Sequence, residues 1–267
     1  MPLAERRAGR LTSLRRDIAL LAGWILIACG TAYAAVPLQP LIDATPSGGT
    51  LLLPAGTYTG PATIDRPMVL DGGGKAHIDG QQRESVLRVR ANSATIRGLV
   101  LTRSGDSHDR VDSAIVVEGH YNRIEDNHIE DVLFGITLHA SNHNVVARNF
   151  IRSRPVDLAD RGDGLRLWYS TGNRIEGNDI AQIRDVTISN SPRNRYVGNR
   201  IRDSRRAMNF LFAGRSLVEG NDLQYNATGL TILNSDGIII RRNRIAHAMD
   251  ASGAGIALKE SSAALVH

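Results

Sequence analysis

The chain has 267 residues, 42% hydrophobic and 22% charged, with a formal net charge of +5 and a single cysteine. Most of that charge stands at the front: without Arg6, Arg7, Arg10, Arg15, Arg16, Glu5 and Asp17, the remainder carries 27 basic against 25 acidic residues. So even a balance, with only 4% aromatics, argues for no nucleic-acid partner, and one cysteine excludes an intrachain disulfide.

Residues 1–34 read as a signal peptide rather than fold. The five arginines precede an apolar run, Ile18 to Ala28, and then small residues ending Ala32-Tyr33-Ala34, a cleavage-site pattern. Leu26-Ile27-Ala28-Cys29 also fits a lipoprotein box, which would leave a lipid anchor at Cys29, and an uncleaved anchor is the third alternative. All three put the body outside the cytoplasm, in the periplasm. Next, Leu38 to Ala44 has the spacing of a short amphipathic cap, and the segments from Thr50, Met68 and Ala94 read as irregular first coils. Gly98 stands where later coils carry an asparagine.

From Asn122 onward one phrase keeps returning. It reads N-R-I-E-D-N-H-I, N-V-V-A-R-N-F-I from Asn144, N-R-I-E-G-N-D-I from Asn173 and N-R-Y-V-G-N-R-I from Asn194, and it continues from Ser216 and Ile238. The inner asparagines, Asn127, Asn149, Asn178, Asn199, Asn221 and Asn243, are spaced 22, 29, 21, 22 and 22 residues apart. A second phrase, G-[IL]-x-[LI], follows each, with aliphatic pairs such as Ile136/Leu138 and Leu165/Leu167 at strand period. Short strands broken by Asn and Gly at a fixed period mean one unit stacked on copies of itself. The fold expected for 35–267 is all-β: a single-stranded right-handed parallel β-helix of about ten coils and about 50 Å. The inner asparagines should form a structural ladder of amides and supply the left-handed backbone of a sharp turn. Asp179, Arg200, Asp222 and Arg244 should form a charge ladder beside them. The last residues stop inside a coil with no cap, as a chain truncated at its C-terminus would.

Chemistry is sparse. Asp163 has no adjacent acid in sequence, and no Asp-Asp pair occurs. Asp126 and His128 flank a ladder residue and read as structural. His139 and His143 bracket a turn, which two ligands of one metal would also do. The repeat is interrupted at 103–113, 153–163 and 246–254, always after the N-x-I strand and before the G-[IL]-x-[LI] strand. Insertions on one edge of a solenoid commonly build its binding surface. Asp106, His108, Asp109, Asp112, Asp157 and Asp160 are therefore the partner-binding candidates. His247 and Met249, an imidazole beside a soft thioether, are the metal candidates. By coil spacing His108 stands about 10 Å from the Asp157/Asp160 loop, and His247 and Met249 lie about four coils further on, near 19 Å, too far to share one metal with His108.

At G-D-G-L-R-L-W-Y-S-T-G-N-R-I-E-G-N-D-I (Gly162 to Ile180), followed by I-R-D-V-T-I and G-I-A-L-K-E-S-S, the chain resembles the NosD family. The resemblance implies a periplasmic β-helix protein, without catalytic activity of its own, needed for maturation of nitrous oxide reductase. It implies an ABC-type ATPase and its membrane subunit, a copper chaperone lipoprotein and nitrous oxide reductase as partners. Copper would be a transient cargo rather than a tightly bound cofactor. In the coil Arg205–Gly214, Asn209 and Leu211 stand where such proteins are expected to carry a His and a Met. The other function class open to this chain is a carbohydrate-active β-helix enzyme: a polysaccharide lyase, hydrolase or uronate epimerase.

Overall fold

One coil shows how the sequence is converted into shape. Arg123–Glu125 is extended, Asp126 turns the chain in the left-handed region at φ 57°, and His128–Val132 is extended again. Phe134–His139 follows, and Ala140 and His143 (φ 48° and 58°) bring the chain back beneath the next coil. Most strands of the repeat end where one residue adopts positive φ, so they stay short and the corners sharp. The computed structural model describes residues 35–251, 253–262, 265 and 266. The expected signal peptide, with the lipid-anchor alternative at Cys29, lies outside them. Among the described residues no helix is long and apolar enough to cross a membrane.

Every strand pairs in parallel with its copy one coil later. Val145↔Arg123, Val145↔Arg174 and Arg174↔Arg195 run along one wall, and His128↔Phe150, Phe150↔Asp179 and Asp179↔Arg200 along a second. The long strands Val69–Asp79 and Thr95–Thr102 run through the bend between these walls, joining them into one 18-stranded sheet. The third wall is a nine-stranded sheet containing Ser113–Val117, Phe134–His139, Leu165–Trp168 and Asp185–Ser189. The expected parallel β-helix is thus the fold.

The interior is the stack of alternate side chains from all three walls. Ile96, Ile124, Val146, Ile175, Tyr196 and Val218 form one column, each buried to 1% exposure or less. Burial of each such aliphatic side chain stabilises the fold by about 1.5–3 kcal/mol. The Tyr196 ring meets Phe210 edge-on, with centroids 5.3 Å apart. At the N-terminal end the helix Leu38–Ala44 covers the stack with Leu38 and Ile42. Arg66 caps that helix, its Nη2 donating to the carbonyls of Ile42 and Asp43 at 2.6 and 2.9 Å.

The amide ladder runs unbroken from Asn127 to Asn243. Asn178 Nδ2 donates to Asn199 Oδ1 at 2.9 Å, and Asn199 Nδ2 to Asn221 Oδ1 at 3.0 Å. Each backbone N–H of the ladder also donates to the next amide oxygen, as Asn199 N does to Asn221 Oδ1 at 2.8 Å. The left-handed residue is not the asparagine, however, but the one before it: Asp126, Arg148, Gly177, Gly198, Gly220 and Arg242. The amide must point inward to reach the neighbouring coil, so the turn is made one position earlier, where the side chain faces out. Gly98 (φ 62°) takes that turn position, and Leu99, its N–H on Asn127 Oδ1 at 3.1 Å, stands in the asparagine's place.

The charge ladder is in register, Asp179↔Arg200↔Asp222↔Arg244, but it pairs differently. Asp179 takes Arg152 at 2.7 Å and Arg202 at 3.7 Å instead of Arg200, because these guanidiniums approach from positions two residues along the strand.

Candidate functional site

The first two insertions meet over the coil between them. Arg154 Nη2 donates to the carbonyls of Ser104 and Gly105, both at 2.9 Å, and His108 Nε2 lies 3.2 Å from the Asp160 carbonyl oxygen. The imidazole also packs edge-on against Phe134, the residue of the intervening coil, at 5.6 Å. Asp106, Asp109, Asp157 and Asp160 are exposed along this edge, Asp157 preceding and Asp160 ending the short 3-10 turn Leu158–Asp160. Asp112 does not join them. It is 1% exposed, and its carboxylate accepts from Ser107 N at 3.0 Å and Arg110 Nη2 at 2.9 Å, so it staples its own loop.

The third insertion departs from the same corner of a later coil, between Arg244–Ala246 and Ile256–Lys259. His247 is itself a left-handed corner residue (φ 56°), in the place Tyr225 holds one coil earlier, and its ring stacks on Tyr225 at 4.6 Å. Met249 is 68% exposed, its N–H on the Asn226 carbonyl at 2.9 Å. Among the described residues no three His, Cys, Asp or Glu side chains converge as a multidentate metal site requires. His139 and His143 part company: His143 stacks on Tyr121 at 5.2 Å and lies over Gly172, while His139 faces the outside of the third wall.

That outer face carries a cleft of about 280 Å³. Its floor is a row taken one residue from each successive coil: Arg88, Val116, Thr137 and Arg166. A parallel row two residues along holds Glu118, His139 and Trp168, and the first insertion forms a wall with Asp109, Arg110 and Val111. Arg88 Nη1 pairs with Glu118 at 2.5 Å, and the Arg166 guanidinium lies 5.4 Å from the Trp168 ring centroid. Of these, the sequence marks Asp109 as a partner contact and His139 as a turn residue paired with His143; the strand residues face outward at ordinary positions, and it is coil stacking that assembles them.

Beside the cleft, Asp163 is 1% exposed, and burial pushes its carboxyl above the usual range despite the opposing charge of Arg184. Arg166 and Arg184 each approach it at 3.5 Å. Its acidic neighbour comes from the next coil: Asp185, whose backbone carbonyl accepts from Gly164 N at 3.0 Å. The partner acid lacking in sequence is therefore supplied by stacking. Asp185 is itself held by Arg205 and Arg206, whereas Asp163 Oδ2 is buried without a hydrogen-bond partner, its arginines no nearer than 3.5 Å.

Fold and site together define the class: a parallel β-helix protein with a looped edge and a grooved side wall. Residues 85–203 match the family described as "Right handed beta helix region". Residues 149–267 match "Periplasmic copper-binding protein (NosD)", and through them the chain is a NosD-family protein. It is 30% identical over 186 residues to a Pseudomonas aeruginosa protein named "Probable ABC transporter binding protein NosD", covering 68% of this chain and 41% of that relative. A protein of the same name from Stutzerimonas stutzeri is 28% identical over 165 residues, 60% of this chain and 38% of the relative. The chain spans about two fifths of the length of these curated relatives. Among solved structures, the enzymatically active domain of bacteriophage CBA120 tailspike protein 2 is similar at TM-score 0.58 and 10% identity, over 86% of this chain and 40% of that one. The Dettilon tailspike protein is similar at TM-score 0.53 and 14% identity, over 79% and 51%. At these identities the likeness establishes fold alone.

Proposed function

We propose that the protein is a non-enzymatic periplasmic accessory factor in copper-site maturation of nitrous oxide reductase, acting with an ABC-type ATPase and its membrane subunit. The family match over residues 149–267 is the observation that carries this reading. The relatives' printed name, a binding protein of an ABC transporter, agrees with it. In this reading the joined edge of the first two insertions docks a protein partner through Asp106, His108, Asp109, Asp157 and Asp160. Copper, passed from a chaperone lipoprotein, touches the chain at His247 and Met249, where a thioether suits Cu(I) and an imidazole Cu(II).

The test is a pair of variants in cells that make the reductase. Shortening the loop within 154–161 should weaken partner capture and leave copper uptake unchanged, and His247→Ala with Met249→Ala should do the reverse. Full reductase maturation with both changes would overturn the proposal.

A further inference from the structure

We propose that the cleft on the outer face of the nine-stranded wall binds an acidic oligosaccharide, a short chain of uronate residues. This goes beyond the maturation reading and does not depend on it. The two rows of the cleft set its shape. Arg88 and Arg166 stand at its ends, separated by three coil spacings, about 14 Å. Between them Val116 and Thr137, 6% and 5% exposed, make a flat, nearly closed floor.

The backbone decides between a peptide and a sugar. Every strand of this wall spends its N–H and C=O groups on the coils before and after it, so the outer face offers only side chains. An extended peptide laid there could not add a strand, and its own backbone groups would lose water without gaining partners. A sugar chain is recognised through hydroxyls, ring faces and carboxylates, all of which side chains can meet. Trp168 presents a half-buried aromatic face beside Arg166, and Glu118, Asp109 and His139 line the same space with groups that can accept from hydroxyls.

Charge selects the acidic kind of sugar. Arg88 and Arg110 each spend part of a five-donor guanidinium on an acid, Glu118 at 2.5 Å and Asp112 at 2.9 Å, while Arg166 reaches Asp163 only at 3.5 Å. All three line the cleft, and a guanidinium with donors to spare is a planar fork suited to carboxylates. Uronate residues advance along their chain by about one coil spacing, so a trimer or tetramer brings carboxylates to both ends of the floor.

Trp168 is also the reporter, because the chain's other tryptophan, Trp24, lies in the expected signal peptide. In a Trp24→Phe background, the protein would be titrated with tetramers of galacturonate, mannuronate and guluronate. The controls are the methyl-esterified galacturonate tetramer and tetraglutamate. At least one uronate tetramer should change the fluorescence saturably, and esterification should weaken its binding at least about ten-fold. By calorimetry, Trp168→Ala and Arg166→Gln should each lose about ten-fold or more, with unchanged circular dichroism, because both side chains project outward. Arg200→Gln, on another wall, should bind as the parent does. The inference is overturned if no uronate tetramer binds, if the ester or tetraglutamate binds as well, or if Arg200→Gln weakens binding as much as Arg166→Gln. No copper, ATPase or reductase enters the measurement, so its failure leaves the maturation proposal standing.

Discussion

Asn199 shows how much one ladder amide carries. Its Oδ1 accepts from Asn178 N and Nδ2, and its Nδ2 donates to Ile175 O and Asn221 Oδ1, all within 3.1 Å and at 1% exposure. Replacing it with leucine strands donors and acceptors in two coils at once, and a loss of about 3 kcal/mol is expected in urea unfolding. Arg200→Ala, on the exposed side of the same turn, should cost well under about 1 kcal/mol. Equal midpoints would contradict the ladder's role. Arg148 sets a pH dependence. It grips Asp126 at 2.8 and 2.7 Å and holds that carboxyl below the usual range, while Arg123, joined by Arg148, does the same for Glu125. A carboxyl with a lowered folded pKa contributes stability that is present above its unfolded value, about 4, and lost as pH falls through the folded one. The gap in urea midpoint between Arg148→Met and the parent should therefore be widest at neutral pH and close in acid. A gap independent of pH would show that Arg148 acts by packing alone.

At the scale of strands and loops, outward positions are free to vary while inward ones are not. The glycine of the second phrase illustrates why: a Cβ on Gly135 would lie 2.2 Å from the Gly164 carbonyl oxygen and 2.6 Å from Ile151 Cγ2, so the next coil leaves no room. The insertions follow a different rule, since they need only leave and rejoin the same corner. The first two are joined over the intervening coil by His108 on the Asp160 carbonyl and by Arg154, whose one guanidinium nitrogen holds two carbonyls of the other loop. Arg154→Ala is expected to speed proteolytic nicking within 154–161 while the far-UV circular dichroism stays that of the parent. Unaltered cleavage rates would mean the loops are held by other contacts.

For the solenoid as a whole, each coil packs on its neighbours, the joined first two insertions being the exception, so stability accumulates from repeated interfaces rather than from one central core. With strands in all three walls and, among the described residues, one seven-residue α-helix from Leu38 to Ala44, the far-UV spectrum should be that of a β protein. A helix-dominated spectrum would be incompatible with this architecture. The scale of the whole also explains the cleft: four residues spaced 28, 21 and 29 apart in sequence, Arg88, Val116, Thr137 and Arg166, become a continuous floor.

Periodicity was enough to determine the coil, its inward residues, the asparagine ladder and the edge from which the insertions leave, because each depends on a pattern repeated along one chain. It also held a second ladder in plain view, the leading asparagines of the phrase, where Asn122 N donates to Asn144 Oδ1 at 2.7 Å and Asn144 N to Asn173 Oδ1 at 2.8 Å. What only stacking decided is whatever needs two coils at once. That includes which residue of the corner turns left-handed, that Asp112 is buried in its own loop, and that His247 lies flat on Tyr225. It also includes the meeting of Asp163 with Asp185 and of Arg88 with Trp168 in a single cleft. Residues about 22 apart along the chain lie one strand spacing apart in space, about 4.8 Å, and their chemistry is set by that neighbour rather than by the next residue in line.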